Sequence, residues 1–224
     1  MITTKEYKRA WERRVGPRSA HLDTNNFTKE DLKKLFDQYQ MIVDNYNLDN
    51  KTIIDLGCGG GLFGLYLFRG EINIKKYIGI DIAKRSIIEA KLNNICWTEA
   101  NKTKFILIDP IKMTDFNKFK PKPYLIVALN IIQFLPDMQY VKLFFEKINN
   151  SEIRNIFIQF RRGDKNIFRK DPYKTTHDIG QANYLTLQKI TNLMPNYNLS
   201  ATKDEEENCY IRFKKTNKKK EKRN

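Results

Sequence analysis

The sequence predicts an α/β protein: a doubly wound, mostly parallel seven-stranded sheet with a C-terminal antiparallel hairpin and N-terminal helices. Three observations predict it. From Thr52 onward, short and almost wholly apolar runs alternate with helical runs, the pattern of a parallel sheet covered on both faces. A turn with five glycines from Gly57 to Gly64 joins the first of these strands to the first of these helices. Near the end, "YNLSATKDEEENCYIRFKK" (197–215) places two strand-like runs around an acidic turn, which reads as a hairpin.

The elements follow in order. Residues 3–15 ("TTKEYKRAWERRV") carry Tyr7, Trp11 and Arg14 along one face of a short helix. Gly16 and Pro17 open a looser stretch. In "FTKEDLKKLFDQYQMIVDNY" (27–46), Thr28 is a candidate N-cap with Asp31 at N3, and Phe27 can staple onto Leu32. Leu32, Leu35, Phe36, Tyr39, Ile42 and Tyr46 keep the helical period and predict one core-facing stripe. Strands are then expected in "TIIDL" (52–56), "KYIGID" (76–81), "KFILID" (104–109), "YLIVALN" (124–130) and "NIFIQF" (155–160). Helices are expected in "GLFGLYLFRG" (61–70), in "KRSIIEAKLNNICW" (84–97), and after Pro136-Asp137 through Val141, Phe144, Phe145 and Ile148. The expected organisation is an N-terminal helical segment over 1–50 acting as a cap or lid, one domain over 51–215, and a low-complexity basic tail over 216–224 that reads as disordered.

At 224 residues, 41 % hydrophobic and 30 % charged, the chain suits one domain able to bury a sizeable core. No apolar run approaches the ~20 residues of a membrane span, and the charged N-terminus lacks a signal-peptide core. Cys58, Cys96 and Cys209 are scattered, without C-x-x-C spacing or a cluster with His21 or His177. Neither a disulfide framework nor a metal site is expected, and a cytoplasmic location is. The net charge of +15 concentrates at the ends: residues 1–20 hold six basic and two acidic side chains, and 214–224 hold seven and one. Such arms suit a nucleic acid, because basic side chains release counterions from phosphates. A solvated lysine-rich tail has the same composition, and abundant Lys, Asn and Ile would also follow from an AT-rich genome.

The glycine turn sits at the carboxyl end of the first strand, where open α/β sheets bind ligands, and glycine permits close backbone approach. A tight connection with no ligand would be a costly use of five glycines. Gly59-Gly60-Gly61-Leu62-Phe63-Gly64 satisfies G-x-G-x-x-G, the dinucleotide fingerprint. Against a nicotinamide or flavin stand three features. Asp55 occupies the strand end, where an apolar residue is usual; counting from Gly57 puts Leu62 in the third glycine's place; and the closing hairpin leaves little room for a second nucleotide half.

Asp55-x-Gly57-x-Gly59-x-Gly61 resembles the first motif of class I S-adenosylmethionine-dependent methyltransferases, which have a Rossmann-like fold. "YIGIDIA" resembles their second strand, ending in Asp81, twenty residues after Gly61. "FILIDP" resembles the third, ending in Asp109, and "YLIVALNIIQFLPD" the fourth with the loop beside the methyl donor. The resemblance spans about residues 50–215. It implies S-adenosyl-L-methionine as cofactor, held by Asp55, Gly57, Cys58, Gly59, Gly61, Asp81, Ile82, Asp109, Pro110 and Asn130. Asp55 would accept from loop N–H groups and from the cofactor ammonium, and Asp81 would offer two oxygens to the ribose hydroxyls. Asp109 would accept from the adenine amino group, with Ile82 flanking the ring; a turn cap before Pro110 is the other reading of Asp109. No catalytic side chain is assigned, since the donor is already activated and alignment contributes most. His21 and His177 read as surface or structural residues.

The acceptor is narrowed by the fourth-strand loop. Asn130-Ile131-Ile132-Gln133 lacks the Asn/Asp-Pro-Pro-aromatic segment of DNA amino methyltransferases, and no Pro-Cys follows the strand. The loop looks more like that of small-molecule enzymes or a few RNA methyltransferases, with Gln133 where histidine is common. The basic ends lean the expectation towards a nucleic acid, RNA above DNA, with Trp11 or Tyr7 as stacking groups or, for Trp11, as helix packing. A small-molecule acceptor is the alternative, with 1–50 as lid. A non-catalytic cofactor-binding subunit is a third reading, which the intact glycine loop and Asp81 disfavour.

Overall fold

A computed structural model of the chain describes residues 29–113, 115–132, 135–161, 185–205 and 208–216. The expected helix at 3–15 with Tyr7 and Trp11, the Thr28 cap, the Phe27 staple, Gln133, both histidines and residues 217–224 lie outside them.

Helix α1 (Lys29–Asn45) leads into β1 (Thr52–Leu56), α2 (Leu62–Arg69), β2 (Lys76–Asp81), α3 (Lys84–Asn93), α4 (Ile95–Glu99) and β3 (Thr103–Leu107). Two short 3-10 turns, Pro110–Lys112 and Phe116–Lys118, precede β4 (Leu125–Ala128), α5 (Met138–Asn149) and β5 (Asn155–Arg161). The chain ends with α6 (Leu187–Asn192), β6 (Tyr197–Glu205) and β7 (Asn208–Lys215). The strands form one sheet in the order β3-β2-β1-β4-β5-β7-β6. The first five pair in parallel, and β7 lies antiparallel between β5 and β6. The expected doubly wound sheet with a closing hairpin is therefore present. The chain winds outward from β1 through β2 to β3, then returns to β4 on the other side of β1. The crevice at that reversal is where such sheets bind ligands.

Alternation along each strand assigns side chains to one face or the other. Ile54 and Leu56 of β1 join Ile78, Ile80, Ile126, Ile156 and Ile158 beneath Phe144, Phe145 and Ile148 of α5. Ile53 joins Tyr77, Leu125, Val127 and Phe157 beneath α1, α2 and α3. Each fully buried aliphatic or aromatic side chain contributes roughly 1.5–3 kcal/mol. Among the described residues no helix is long and apolar enough to cross a membrane.

Helix α1 belongs to this core. Tyr39, Ile42 and Tyr46 are buried, and the Tyr46 hydroxyl donates to the Ile156 carbonyl at 3.3 Å. The core stripe is narrower than expected: Phe36 is 46 % exposed, its ring 5.6 Å from that of Tyr66. The described part of the 1–50 segment is thus built into the same core as the sheet.

Some elements differ from expectation. The helix expected over 84–97 breaks at Asn94, whose side-chain Nδ2 donates to the Ala90 and Gly61 carbonyls. Strand β3 stops at Leu107, because the Asp109 carboxylate turns to accept from the Ile111 N–H at 3.1 Å. Helix α6 was not expected; it is six residues long, capped by Thr186 accepting from the Lys189 N–H.

Candidate functional site

The Gly57 and Cys58 N–H groups both donate to the Ile80 carbonyl, at 2.8 and 3.1 Å, stitching the glycine turn to the end of β2. Gly57, Gly59 and Gly61 all have positive φ, +76°, +52° and +74°. Their surroundings separate them. A Cβ on Gly57 would lie 2.8 Å from Ile131, and one on Gly61 would lie 2.8 Å from Asn94 Nδ2 and 3.0 Å from the Ala90 Cβ. These two glycines bring the β4 loop and α3 close. A Cβ on Gly59 would meet nothing within 4 Å among the described residues. Bare backbone there faces open space, which is the room a ligand lying on the loop requires.

Asp81, the last residue of β2, ties down that backbone. Its Oδ2 accepts from the Gly59 N–H at 3.0 Å and its Oδ1 from the Ala83 N–H at 2.8 Å. Each oxygen keeps a further lone pair, so the carboxylate can still accept two ribose hydroxyls. Burial pushes the Asp81 carboxyl up, while the Ala83, Gly59 and Ile82 N–H groups pull it down.

Asp55 departs from expectation. The loop N–H groups of Gly57, Cys58, Gly59 and Gly61 are engaged by Ile80, Asp81 and the Cys58 carbonyl, so none of these reaches Asp55. Its Oδ2 instead accepts from the Tyr77 hydroxyl at 2.5 Å. Burial pushes its carboxyl up to about 7, against the Tyr77 hydrogen bond and with the Asp81 charge. Cys58 is buried and its thiol is pushed up by burial and by the charges of Asp81 and Asp55, so it stays protonated.

Both readings of Asp109 have a structural counterpart. Its Oδ1 caps the turn at Ile111 and accepts from the Tyr140 hydroxyl, and Pro110 follows, buried. Its Oδ2 is buried without a hydrogen-bond partner among the described residues. A buried carboxylate oxygen in that state is costly unless something donates to it. The neighbouring Ile108 N–H bonds to the Asp81 carbonyl at 3.0 Å, so the two carboxylates lie on adjoining strand ends. Ile82, the residue after β2, is buried, 8 % exposed. Asn130 lies past β4 with φ +52°, its N–H donating to Gln159 Oε1 at 2.7 Å and its Nδ2 to Gln38 Oε1 of α1 at 3.5 Å.

Several of these groups escaped sequence reasoning. Asn93 Nδ2 donates to the Gly60 carbonyl at 2.8 Å and Asn94 Nδ2 to the Gly61 carbonyl at 3.2 Å, so the end of α3 grips the loop. Gln159 is wholly buried on β5. Tyr77 carried a signal: a tyrosine in a central apolar strand must find a partner for its hydroxyl.

No protein-family model matches the sequence, and no curated protein matches it. Solved structures do. Magnesium protoporphyrin IX methyltransferase (ChlM) from Synechocystis PCC 6803, with bound SAH, superposes at a TM-score of 0.67 and 13 % identity, over 96 % of each chain. This is the class I methyltransferase fold. The N-methyltransferase NodS from Bradyrhizobium japonicum WM9, in complex with S-adenosyl-L-homocysteine, matches at 0.66 and 14 %, over 93 % of this chain and 98 % of that one. A putative S-adenosylmethionine-dependent methyltransferase from Listeria monocytogenes matches at 0.61 and 14 %, over 83 % and 99 %. The methyltransferase fold thus accounts for all seven strands, including the reversed β7.

Proposed function

We propose that the chain binds S-adenosylmethionine on the β1–α2 loop and transfers its methyl group to an acceptor. The observation that carries this is the open space above Gly59, with Asp81 bound to that residue's N–H. The unpartnered Oδ2 of Asp109 on the adjoining strand end supports it. These groups fit a nucleoside that bears a ribose diol and an exocyclic amine, and the matched NodS structure is a complex with S-adenosyl-L-homocysteine.

Asp81 holds the loop and accepts from the ribose hydroxyls. Asp109 accepts from the adenine amino group, beside the buried Ile82 and Pro110. Gly59, with Gly57, Cys58 and Gly61 shaping the turn, lets the loop pass under the amino-acid half. The sulfonium supplies an already activated methyl group, so no protein nucleophile is required. The chain's part is alignment and exclusion of water, with a base needed only for a protonated acceptor. Asn130, bonded to Gln159 and Gln38, completes the cofactor-binding set from the loop after β4.

Two acceptor readings have separate support. A small molecule is supported by neighbours such as the magnesium protoporphyrin IX methyltransferase and the pyocyanin biosynthetic protein PhzM. A nucleic acid is supported by charge alone. That support is smaller than the sequence implied, because Lys214 and Lys215 belong to β7, where Lys215 Nζ donates to the Ser151 carbonyl. Residues 217–224 retain five basic and one acidic side chain. Labelled methyl donor incubated with fractionated RNA, DNA and metabolites tests the choice. RNA labelling that weakens steeply with salt, and less steeply after removal of 217–224, would favour the polyanion; label entering metabolites alone would favour the small molecule.

A further inference from the structure

We propose that Tyr77 is a positioning residue for the proposed cofactor, aiming Asp55 at the ammonium of its amino-acid half and holding it as a carboxylate. The inference rests on the cofactor reading above and concerns a residue outside the glycine motif.

Tyr77 is fully buried in β2, and the fold is shaped around its ring. Phe63 and Phe105 meet it edge-on, with centroids 6.2 and 5.9 Å away. A Cβ on Gly64 would come within 2.9 Å of that ring, so α2 carries glycine where the tyrosine passes. The ring is thereby locked, and its hydroxyl ends on Asp55 Oδ2 at 2.5 Å. Asp55 is 4 % exposed at the root of the glycine turn, and among the described residues Tyr77 is its one hydrogen-bond donor.

A carboxyl so deeply buried favours its neutral form, which cannot pair with a cation. Burial lifts it to about 7, the tyrosine hydroxyl opposes the rise, and the Asp81 charge adds to it. The other groups facing it are Tyr39 from α1 and Cys58 from the turn. Burial pushes both of these and Tyr77 itself well up, so they stay neutral. Asp55 and Asp81 are the groups left to titrate. The sign follows: protonation of Asp55 on the acid side removes the charge that the ammonium needs, so affinity rises with pH.

Two ligands separate Asp55 from Asp81. S-adenosylhomocysteine carries the ammonium; 5′-methylthioadenosine keeps the adenine and ribose but lacks it. Calorimetric titration of both, from mildly acid to mildly alkaline pH, is expected to show a rise of affinity with pH for the first relative to the second. Tyr77→Phe moves that rise upward by about one to two pH units, with roughly tenfold weaker binding on the acid side and recovery at alkaline pH. Binding of 5′-methylthioadenosine stays unchanged. Asp55→Asn abolishes the relative rise, and adding Tyr77→Phe to it changes nothing further. An unmoved profile in Tyr77→Phe, or equal weakening of both ligands at every pH, overturns the proposal. Should Tyr77→Phe fail to fold, a relative rise that survives in Asp55→Asn overturns it as well. Wild-type protein that binds neither ligand at any pH contradicts the cofactor reading itself.

Discussion

At Gly59, folding and ligand binding make separable demands. An alanine there would hold φ at +52°, which costs about 1–2 kcal/mol, but its methyl group would touch no atom of the described residues within 4 Å. Gly59→Ala is expected to keep the fold with a modest fall in melting temperature, while affinity for S-adenosylhomocysteine drops more than tenfold. Gly61→Ala should behave in the opposite way, because its methyl group meets Asn94, Ala90 and Phe105 at 2.8–3.1 Å. Thermal melts beside calorimetry of the two variants check the contrast; equal melting losses with unchanged affinity would show the space above Gly59 to be unused. The residue pattern made the glycine turn legible, with Asp55, Asp81 and Asp109 at three strand ends. It could not tell which glycine faces open space and which makes room for packing. That distinction depends on Ile131, Asn94 and Phe105, which arrive from distant parts of the chain. The loop N–H groups expected on Asp55 bond elsewhere, and its Tyr77 partner was not legible for the same reason, since Tyr77 lies twenty-two residues away.

At the scale of elements, α3 does more than cover the sheet. Its C-terminal asparagines hold the carbonyls of Gly60 and Gly61, and Asn94 is fully buried while doing so. Asn94→Ala removes the donor to both Gly61 and Ala90 and leaves these carbonyls with fewer partners. We expect a loss of about 1–3 kcal/mol in stability, read from denaturant unfolding, together with weaker S-adenosylhomocysteine binding. Unchanged values in both would make the grip incidental. Strands β1 and β2 were legible to the residue, since short apolar runs bounded by turn signals leave little latitude. The helix over 84–97 was not, because its apolar period continues past Asn94 and only the contact with the glycine turn breaks it. Helix α6 is too short for any period to announce it.

For the whole molecule, the buried carboxyl of Asp55 makes stability depend on pH. Its folded value of about 7 lies above the ordinary 3.8, so between these values the folded state holds a proton that the unfolded state has released. Stability is then greatest below about pH 4 as far as this group is concerned, and is lost as pH rises through 7. Asp81, also raised, acts in the same direction. Unfolding curves in acid and alkaline buffer should therefore diverge for the wild type and approach each other in Asp55→Asn, which gains stability at alkaline pH; an equal divergence in both proteins would remove Asp55 from the account. The doubly wound, mostly parallel sheet and the closing hairpin were legible, because alternating apolar runs admit few topologies. The core-facing stripe of α1 was legible too, but not which surface it covers, since a stripe of apolar residues does not name its partner. The central claim is that the loop at β1 holds a sulfonium nucleoside and not a nicotinamide dinucleotide. Calorimetry of the full chain against S-adenosylmethionine, S-adenosylhomocysteine and NAD tests it most directly. One site for each of the first two, with NAD far weaker, is the expected result; NAD binding more tightly than either would contradict it.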